Sequence, residues 1–305
     1  MKRRPNRRLA TAQLTVTAAS EISRRRAAFQ FCTPVALAVH AVAIVSVACA
    51  AAGEDPYSED LSTWRAISIS QRDAERGHQA NWSSKEWVVF LRDGHPAVRA
   101  RVGDREREAV AWDADDRANL PFTIEQGNAF EGLAGHVHAT KAADGWIVGF
   151  NAGEFGAGLW WFAPDGKRRY LISMDHVSGF VQTDQDLLAF AGLAHLGSDH
   201  GGIIRIARGA NGKWEPVRVA ILGSAPRAAT RDKDGAVIVV TNKRLVRWRA
   251  GKPLETLLDD VSWRYLYPNS VISDGSGTLY IGMRNCVAKI TLTKRKNTVT
   301  WLLPQ

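Results

Sequence analysis

Cysteine is nearly absent: the 305-residue chain holds three, Cys32, Cys49 and Cys286, and only the last lies beyond the first fifty positions. One body cysteine excludes an internal disulfide and any multi-cysteine metal centre there. A small buried residue in the run CVAKI is the expected role of Cys286. No G-x-S-x-G elbow and no H-x-x-x-H pair occurs, so the signatures of a serine hydrolase and of a helical zinc protease are missing. No long segment carries a helical period; β-branched runs and local alternation dominate, broken by Gly, Asp and Asn turns. The longest apolar stretch, Pro34–Ala52, is Ala-rich and interrupted by His40, which makes it a weak permanent membrane span. The body also lacks excess charge. The whole chain has a net charge of +9, but eight of its 40 basic residues and one of its 31 acids lie in residues 1–52, leaving 32 and 30, a net of +2. A near-neutral body excludes the electrostatic footprint of a nucleic-acid binder.

What is present begins with a leader. A basic region ending at Arg26 precedes the apolar stretch and reads as an export signal over residues 1–52. Two ends for it are open. Ala48-Cys49-Ala50 and Ala50-Ala51-Ala52 are small-residue cleavage sites of the A-x-A kind. Ser46-Val47-Ala48-Cys49 resembles a bacterial lipobox, which implies a lipid on Cys49. Either way the expected location is exported, periplasmic or membrane-anchored. The membrane is then reached only through the leader or that lipid. Residues 53–76 read as a polar tether with a possible ring-closing strand in LSTWRAISIS.

The remaining residues, 77–305, form one repeat array. Asp144-Gly145, Asp186-Leu187, Asp234-Gly235 and Gly275-Ser276-Gly277 each precede a short apolar run, WIVGF, LLAFA, AVIVV or TLYIG. Gly145, Leu187, Gly235 and Gly277 stand 42, 48 and 42 residues apart. Units of about 40–50 residues made of short strands define a β-propeller. The fold class is therefore all-β, with five four-stranded blades and six as the alternative. The second blade reads HVHATK, WIVGF, LWWFA, RRYLI. The third reads GFVQT, LLAFA, GIIRIA, PVRVAIL. The fourth reads RAATR, AVIVV, RLVRW, PLETLL, and the fifth NSVIS, TLYIG, CVAKI, TVTWLL. The first aligns as GHQAN, WVVFL, PAVRARV, REAVAW. Arg99, Arg205, Arg247 and Lys289 then recur in the third strands, as basic residues that protect sheet edges do. Residues 113–135 are an insertion expected on the rim, where long loops carry function.

Tyr267-Pro268-Asn269-Ser270-Val271-Ile272 before GTLYIG resembles the blades of NHL and SMP-30-type propellers. That resemblance implies a channel-mouth site in which Asn269 helps hold a divalent cation, with Glu131 and Asn151 as loose partners.

In such a fold the first strand of each blade lines the channel. The aligned entry positions bring together His78, His136, His138, His176, Arg227 and Asn269 as a ligand-binding mouth. His136 and His138 lie two apart in a strand and share a face, so with Asn269 they are the candidate metal ligands. Arg227 suits a carboxylate or phosphate. Asp199 with His200 is an acid–base candidate, outweighed by a polar turn. Asp113, Asp115 and Asp116 lack the spacing of a calcium loop. The eleven tryptophans are expected mostly between blades, with one of Trp160 and Trp161 exposed. The expected function is a binding module without cofactor, taking a small polar ligand or a protein of the cell envelope. The competing expectation is a metal-dependent, lactonase-like hydrolase with a divalent ion at the same mouth.

Overall fold

The computed structural model describes residues 58–67, 85–101, 115–125, 127, 129–259, 261, 263 and 266–304. Their strands form five antiparallel sheets. The first contains β1 (Ser58–Asp60), β3 (Glu86–Arg92) and β4 (His95–Arg101), in the order β1-β4-β3. β2 (Arg65–Ile67) belongs to the fifth sheet. The second sheet is β5 (His136–Ala142), β6 (Gly145–Asn151), β7 (Ala157–Phe162) and β8 (Arg169–Ser173). The third is β9 (Val177–Gln182), β10 (Leu187–His195), β11 (Ser198–Arg208) and β12 (Trp214–Ile221). The fourth is β13 (Pro226–Arg231), β14 (Val237–Thr241), β15 (Leu245–Trp248) and β16 (Glu255–Leu258). The fifth is β17 (Ser270–Ser273), β18 (Thr278–Gly282), β19 (Val287–Thr291) and β20 (Thr298–Leu303), extended by β2. Strands of sheets two to five follow one another up and down in chain order, and their first strands pack successively, β5 to β9 to β13 to β17.

The cores lie between sheets. β14 is buried along its whole length because both faces meet a neighbour. Its Val237 and Val239 join Leu188, Phe190 and Ile203 of the third sheet, while Ile238 and Val240 join Leu279, Ile281 and Trp301 of the fifth. A strand covered on both faces reads as a continuous apolar run, which is why the second strands do not alternate. Outer strands such as β12 are largely exposed and do alternate with polar residues.

The first sheet departs from its expected phase. WVVFL is β3, and β3 packs on β17 and β18 as β9 packs on β5 and β6. It is the first strand of its unit, not the second, and Arg99 on β4 leaves the row of third-strand bases. GHQAN and REAVAW lie outside the described residues. β1 pairs with β4 on the outer side (Ser58 opposite Arg99), and β2 runs antiparallel to β20 (Ile67 opposite Trp301). Between them Leu61 and Trp64 are buried, and Trp64 meets Trp87 edge-on with ring centroids 4.7 Å apart. One short segment thus clips the first sheet to the fifth.

The insertion is also not a rim loop. Ile124 and Leu133 are buried against Val137, Val148, Phe150 and Phe162, so this segment covers one face of the second sheet. Asp116 Oδ2 accepts the Ala139 N–H of the edge strand β5 (3.0 Å), and Gly132 O accepts Trp160 Nε1 (2.8 Å). Asp115 caps the turn at Arg117 N.

At the end where first strands finish, aspartates hold the turns. Asp234 accepts from Ala236 N, and Asp274 from Ser276 N and Thr278 N. Asp144 accepts from Trp161 Nε1 in its own sheet and from Trp214 Nε1 in the next, and pairs with Arg208. Burial pushes each of these carboxyls up, but the donors outweigh it and all three are held below the usual carboxylate value. A depressed native pKa contributes stability above the unfolded value of about 3.9, lost as pH falls through the native value. The urea midpoint is therefore expected to hold from neutral pH to about pH 5 and to drop steeply below about pH 4. A midpoint unchanged at about pH 3 removes these carboxylates from the balance of stability.

Candidate functional site

The opposite end, where first strands begin, is the entry end, and sequence reasoning placed its candidates there. Two β-bulges shape it. β9 shifts register against β10 between Phe190 and Ala191, leaving Ser178 extra. β13 shifts against β14 between Pro226 and Ala228, leaving Arg227 extra. Bulges turn a side chain out of the regular alternation, which is how strands present a functional group. Arg227 Nε donates to Asn242 Oδ1 (2.6 Å), and Asn242 Nδ2 donates to Asp199 Oδ1 (3.1 Å). Asp199 also accepts Ala225 N–H (2.8 Å) and pairs with Lys243 (3.3 Å). Its side chain is 9 % exposed. Burial pushes its carboxyl up; Ala225, Asn242 and the Lys243 charge prevail and hold it low. Beneath the network Ser224 donates to Thr241 Oγ1, and Trp263 Nε1 donates to Thr241 O.

The histidines do not converge. His136 is exposed, whereas His138 is buried on the same face, opposite Gly149 of β6. The close approach there is real: a Cβ on Gly149 would stand 2.6 Å from Val177 Cβ of β9. His176 Nε2 bonds Gly153 O (2.9 Å), bracing the turn between β6 and β7. His78 lies outside the described residues. His200 is exposed, and neighbouring strand residues face opposite ways, so Asp199 and His200 form no dyad.

Asn269 immediately precedes β17 and is 5 % exposed. Its N–H donates to Gly282 O (2.9 Å). Its Oδ1 accepts Ser270 Oγ (2.8 Å), which in turn accepts Val89 N–H of the first sheet (2.9 Å). Its Nδ2 is buried with no partner among the described residues. A buried N–H without an acceptor is costly and calls for one. Beside it Arg284 stacks on Tyr267 at 4.0 Å and donates to Glu86.

Among the described residues five carboxylates of this end are ion-paired: Glu86 with Arg101 and Arg284, Glu154 with His195, Asp175 with Arg218, Asp199 with Lys243 and Asp259 with Arg244. Glu131 is exposed on a short turn, and Asn151 Oδ1 accepts Gly153 N–H. Among the described residues no three His, Cys, Asp or Glu side chains group as metal ligands. The donor set implied by the SMP-30 resemblance therefore does not fit, and no step is derived through a metal.

Other candidates fall away on geometry. Trp161 is 7 % exposed, and half-buried Trp160 lies under Arg169 at 5.7 Å, so neither is an open platform. A cleft of about 430 Å³ lies at the far end between the second and third sheets, lined by Lys141, Asp184, Asp186, Arg205 and Trp214. Arg208 covers Trp214 at 4.1 Å, and Asp184 pairs with Arg231. Cys286 is buried and its thiol is pushed up to about 12, which leaves it inert.

Up-and-down four-stranded sheets packed through their first strands make this a β-propeller repeat protein. No family model and no curated protein matches the sequence. Among solved structures it is similar to virginiamycin B lyase from Staphylococcus aureus, at 15 % identity over 53 % of this chain and 54 % of that one, TM-score 0.37. A streptogramin B lyase matches at 16 % identity over 60 % and 58 %, TM-score 0.40. An auxiliary nutrient binding protein from Bacteroides ovatus matches at 8 % identity over 52 % and 39 %, TM-score 0.36. The chain thus spans little more than half the length of the two lyases.

Proposed function

We propose that the protein is an exported five-bladed propeller whose entry end binds a small polar ligand, or a protein segment, through oxygen acceptors. The five sheets are the five blades, and the insertion covers the second blade on the face away from the third. One observation carries the binding reading. At the entry end the Asn269 Nδ2 donor is buried with no partner among the described residues and requires an acceptor. Arg227, lifted by its bulge, supplies a cation in the neighbouring blade. Among the described residues Glu86, Glu154, Asp175, Asp199 and Asp259 are each engaged in an ion pair. A preformed site of this kind orients a ligand without reacting with it.

The test is a thermal-shift screen of the purified protein with hydroxycarboxylates, sugar acids and short peptides. A bound compound at about a hundred times its Kd adds about 2.7 kcal/mol, a shift of several degrees. The shift is expected to vanish in Asn269→Ala and to shrink in Arg227→Ala, with the unliganded fold intact. A stoichiometric divalent ion in the purified protein, lost on replacing Asn269 or His138, would instead establish the hydrolase.

A further inference from the structure

We infer that the far end of the second to fifth sheets, opposite the entry end, binds a linear acidic polysaccharide along a track of cations on its outer turns. The track follows from a regularity of the repeat. The turns β7–β8, β11–β12, β15–β16 and β19–β20 join third to fourth strands, span residues 163–168, 209–213, 249–254 and 292–297, and all lie at this end. In the first three a lysine follows a glycine in the left-handed region: Lys167 after Gly166 (φ 73°), Lys213 after Gly212 (φ 75°) and Lys252 after Gly251 (φ 68°). Glycine supplies that conformation without strain, and each turn then presents its lysine in the same way. The fourth turn carries Lys294, Arg295 and Lys296 in succession. All six residues are exposed, and Asp165 is the one acid in the four turns.

This charge is not cancelled from within. The inner turns of the same end are held by Asp144, Asp234 and Asp274, whose carboxylates are engaged with nearby donors. The β19–β20 turn is held by neutral groups instead. Thr293 Oγ1 accepts Lys296 N–H (3.0 Å), and Asn297 Oδ1 accepts Thr293 N–H (3.0 Å). Asn297 Nδ2 donates to Leu257 O of the fourth sheet (2.9 Å), which fixes the turn to its neighbour. Lys213 lies over the Tyr170 ring at 5.3 Å. The other five side chains of the track have no hydrogen-bond or ion-pair partner among the described residues. Three adjacent like charges repel one another, so a turn that holds Lys294, Arg295 and Lys296 together attracts an anion laid across it. Residues 53–305 carry a net charge of only +2, so the excess is local.

The placement of the cations selects the class of partner. A small anion is held by several donors that converge on it. Lys167, Lys213 and Lys252 instead stand one to a sheet, which matches anions carried one after another on a polymer. Single-stranded nucleic acid stacks its bases on aromatic faces. Here those faces are taken by cations: Trp160 by Arg169, Trp214 by Arg208 and Tyr170 by Lys213. A bilayer takes in apolar side chains and a protein partner needs an apolar centre, and none of the four turns exposes a large hydrophobic residue. A chain of carboxylated sugars offers the repeated charge and needs neither stacking nor an apolar contact.

The experiment measures binding of the full chain to polygalacturonate, and to galacturonate oligomers of defined length, over a series of salt concentrations. Affinity is expected to rise with oligomer length and to fall with salt. Replacing the fourth turn's cations together, Lys294→Gln with Arg295→Gln and Lys296→Gln, should weaken polymer binding at least about tenfold. The slope of log Kd against log salt should drop by about two, at about 0.7 for each ion pair lost on a single-stranded polyanion. Lys167→Gln with Lys252→Gln should weaken binding as well, because the track crosses sheets. Circular dichroism and the urea midpoint should not change, and Lys294→Arg with Lys296→Arg should bind as wild type. Equal affinity of wild type and either charge-removing variant overturns the inference, since the binding then comes from elsewhere in the chain. So does inhibition by monomeric galacturonate as strong as by the polymer, or tighter binding to phosphatidylglycerol vesicles, single-stranded DNA or polyglutamate. Asn269→Ala should leave polymer binding intact; its loss there would move the polymer to the entry end and overturn the track.

Discussion

Trp64→Ala is expected to destabilise the fold by about 3–5 kcal/mol, the range for emptying a buried aromatic site. The ring is 5 % exposed and stands edge-on to Trp87. It shares a core with Val89 and Val98 of the first sheet and Val287 and Leu302 of the fifth. Its Nε1 donates to Glu59 Oε2 (2.8 Å). Alanine removes the packing and leaves Glu59 without that donor, and β1 and β2 are only three residues each, too short to hold without it. The urea midpoint should fall and the near-ultraviolet signal of Trp87 should change. Trp64→Phe, which keeps most of the ring and loses the N–H, should recover more than half of the loss. Equal midpoints for wild type and Trp64→Ala would show that the clip contributes nothing to stability.

Gly282→Val is expected to be as damaging for the opposite reason, overpacking. A Cβ at Gly282 would lie 2.3 Å from Trp87 O, 2.3 Å from Ser270 Oγ and 3.0 Å from Val89 N. Two of these atoms are backbone of the first sheet and do not swing away. Either β3 separates from β18 or the variant fails to assemble, and a loss above about 3 kcal/mol follows from displaced backbone in a close-packed core. Gly94→Val is the control. It meets nothing within 4 Å but has φ 79°, so it carries only local strain of about 1–2 kcal/mol. If Gly282→Val is no worse than Gly94→Val, the contact between first and fifth sheets is not tight.

Sixteen strands of the second to fifth units could be read from the sequence because each is a short apolar or β-branched run between turn residues. The first unit was misphased although its signal was present. Asp93-Gly94, with φ 51° and 79°, joins β3 to β4 as Asp144-Gly145 joins β5 to β6 and Asp234-Gly235 joins β13 to β14. That turn marks WVVFL as a first strand. The candidate site was less legible. Alignment put Arg227 and Asn269 at the same end of their sheets, because strand order places equivalent residues at one end. It could not find the bulge that lifts Arg227, nor that Asn242, 15 residues on, would hold its guanidinium. It grouped His136, His138 and His176 by position, and position alone does not say that one is exposed, one buried and one spent on Gly153 O.

The clip between the outer sheets also sets a timetable. Ile67 meets Trp301 across about 230 intervening positions, so loop closure over nearly the whole body precedes that pairing. A ribosome delivers the early partner long before the late one. Until Trp301 emerges, the fifth sheet lacks its last edge and the first lacks its seal, and the nascent chain stays unlocked. The lock between β2 and β20 cannot close before the last strand has been made.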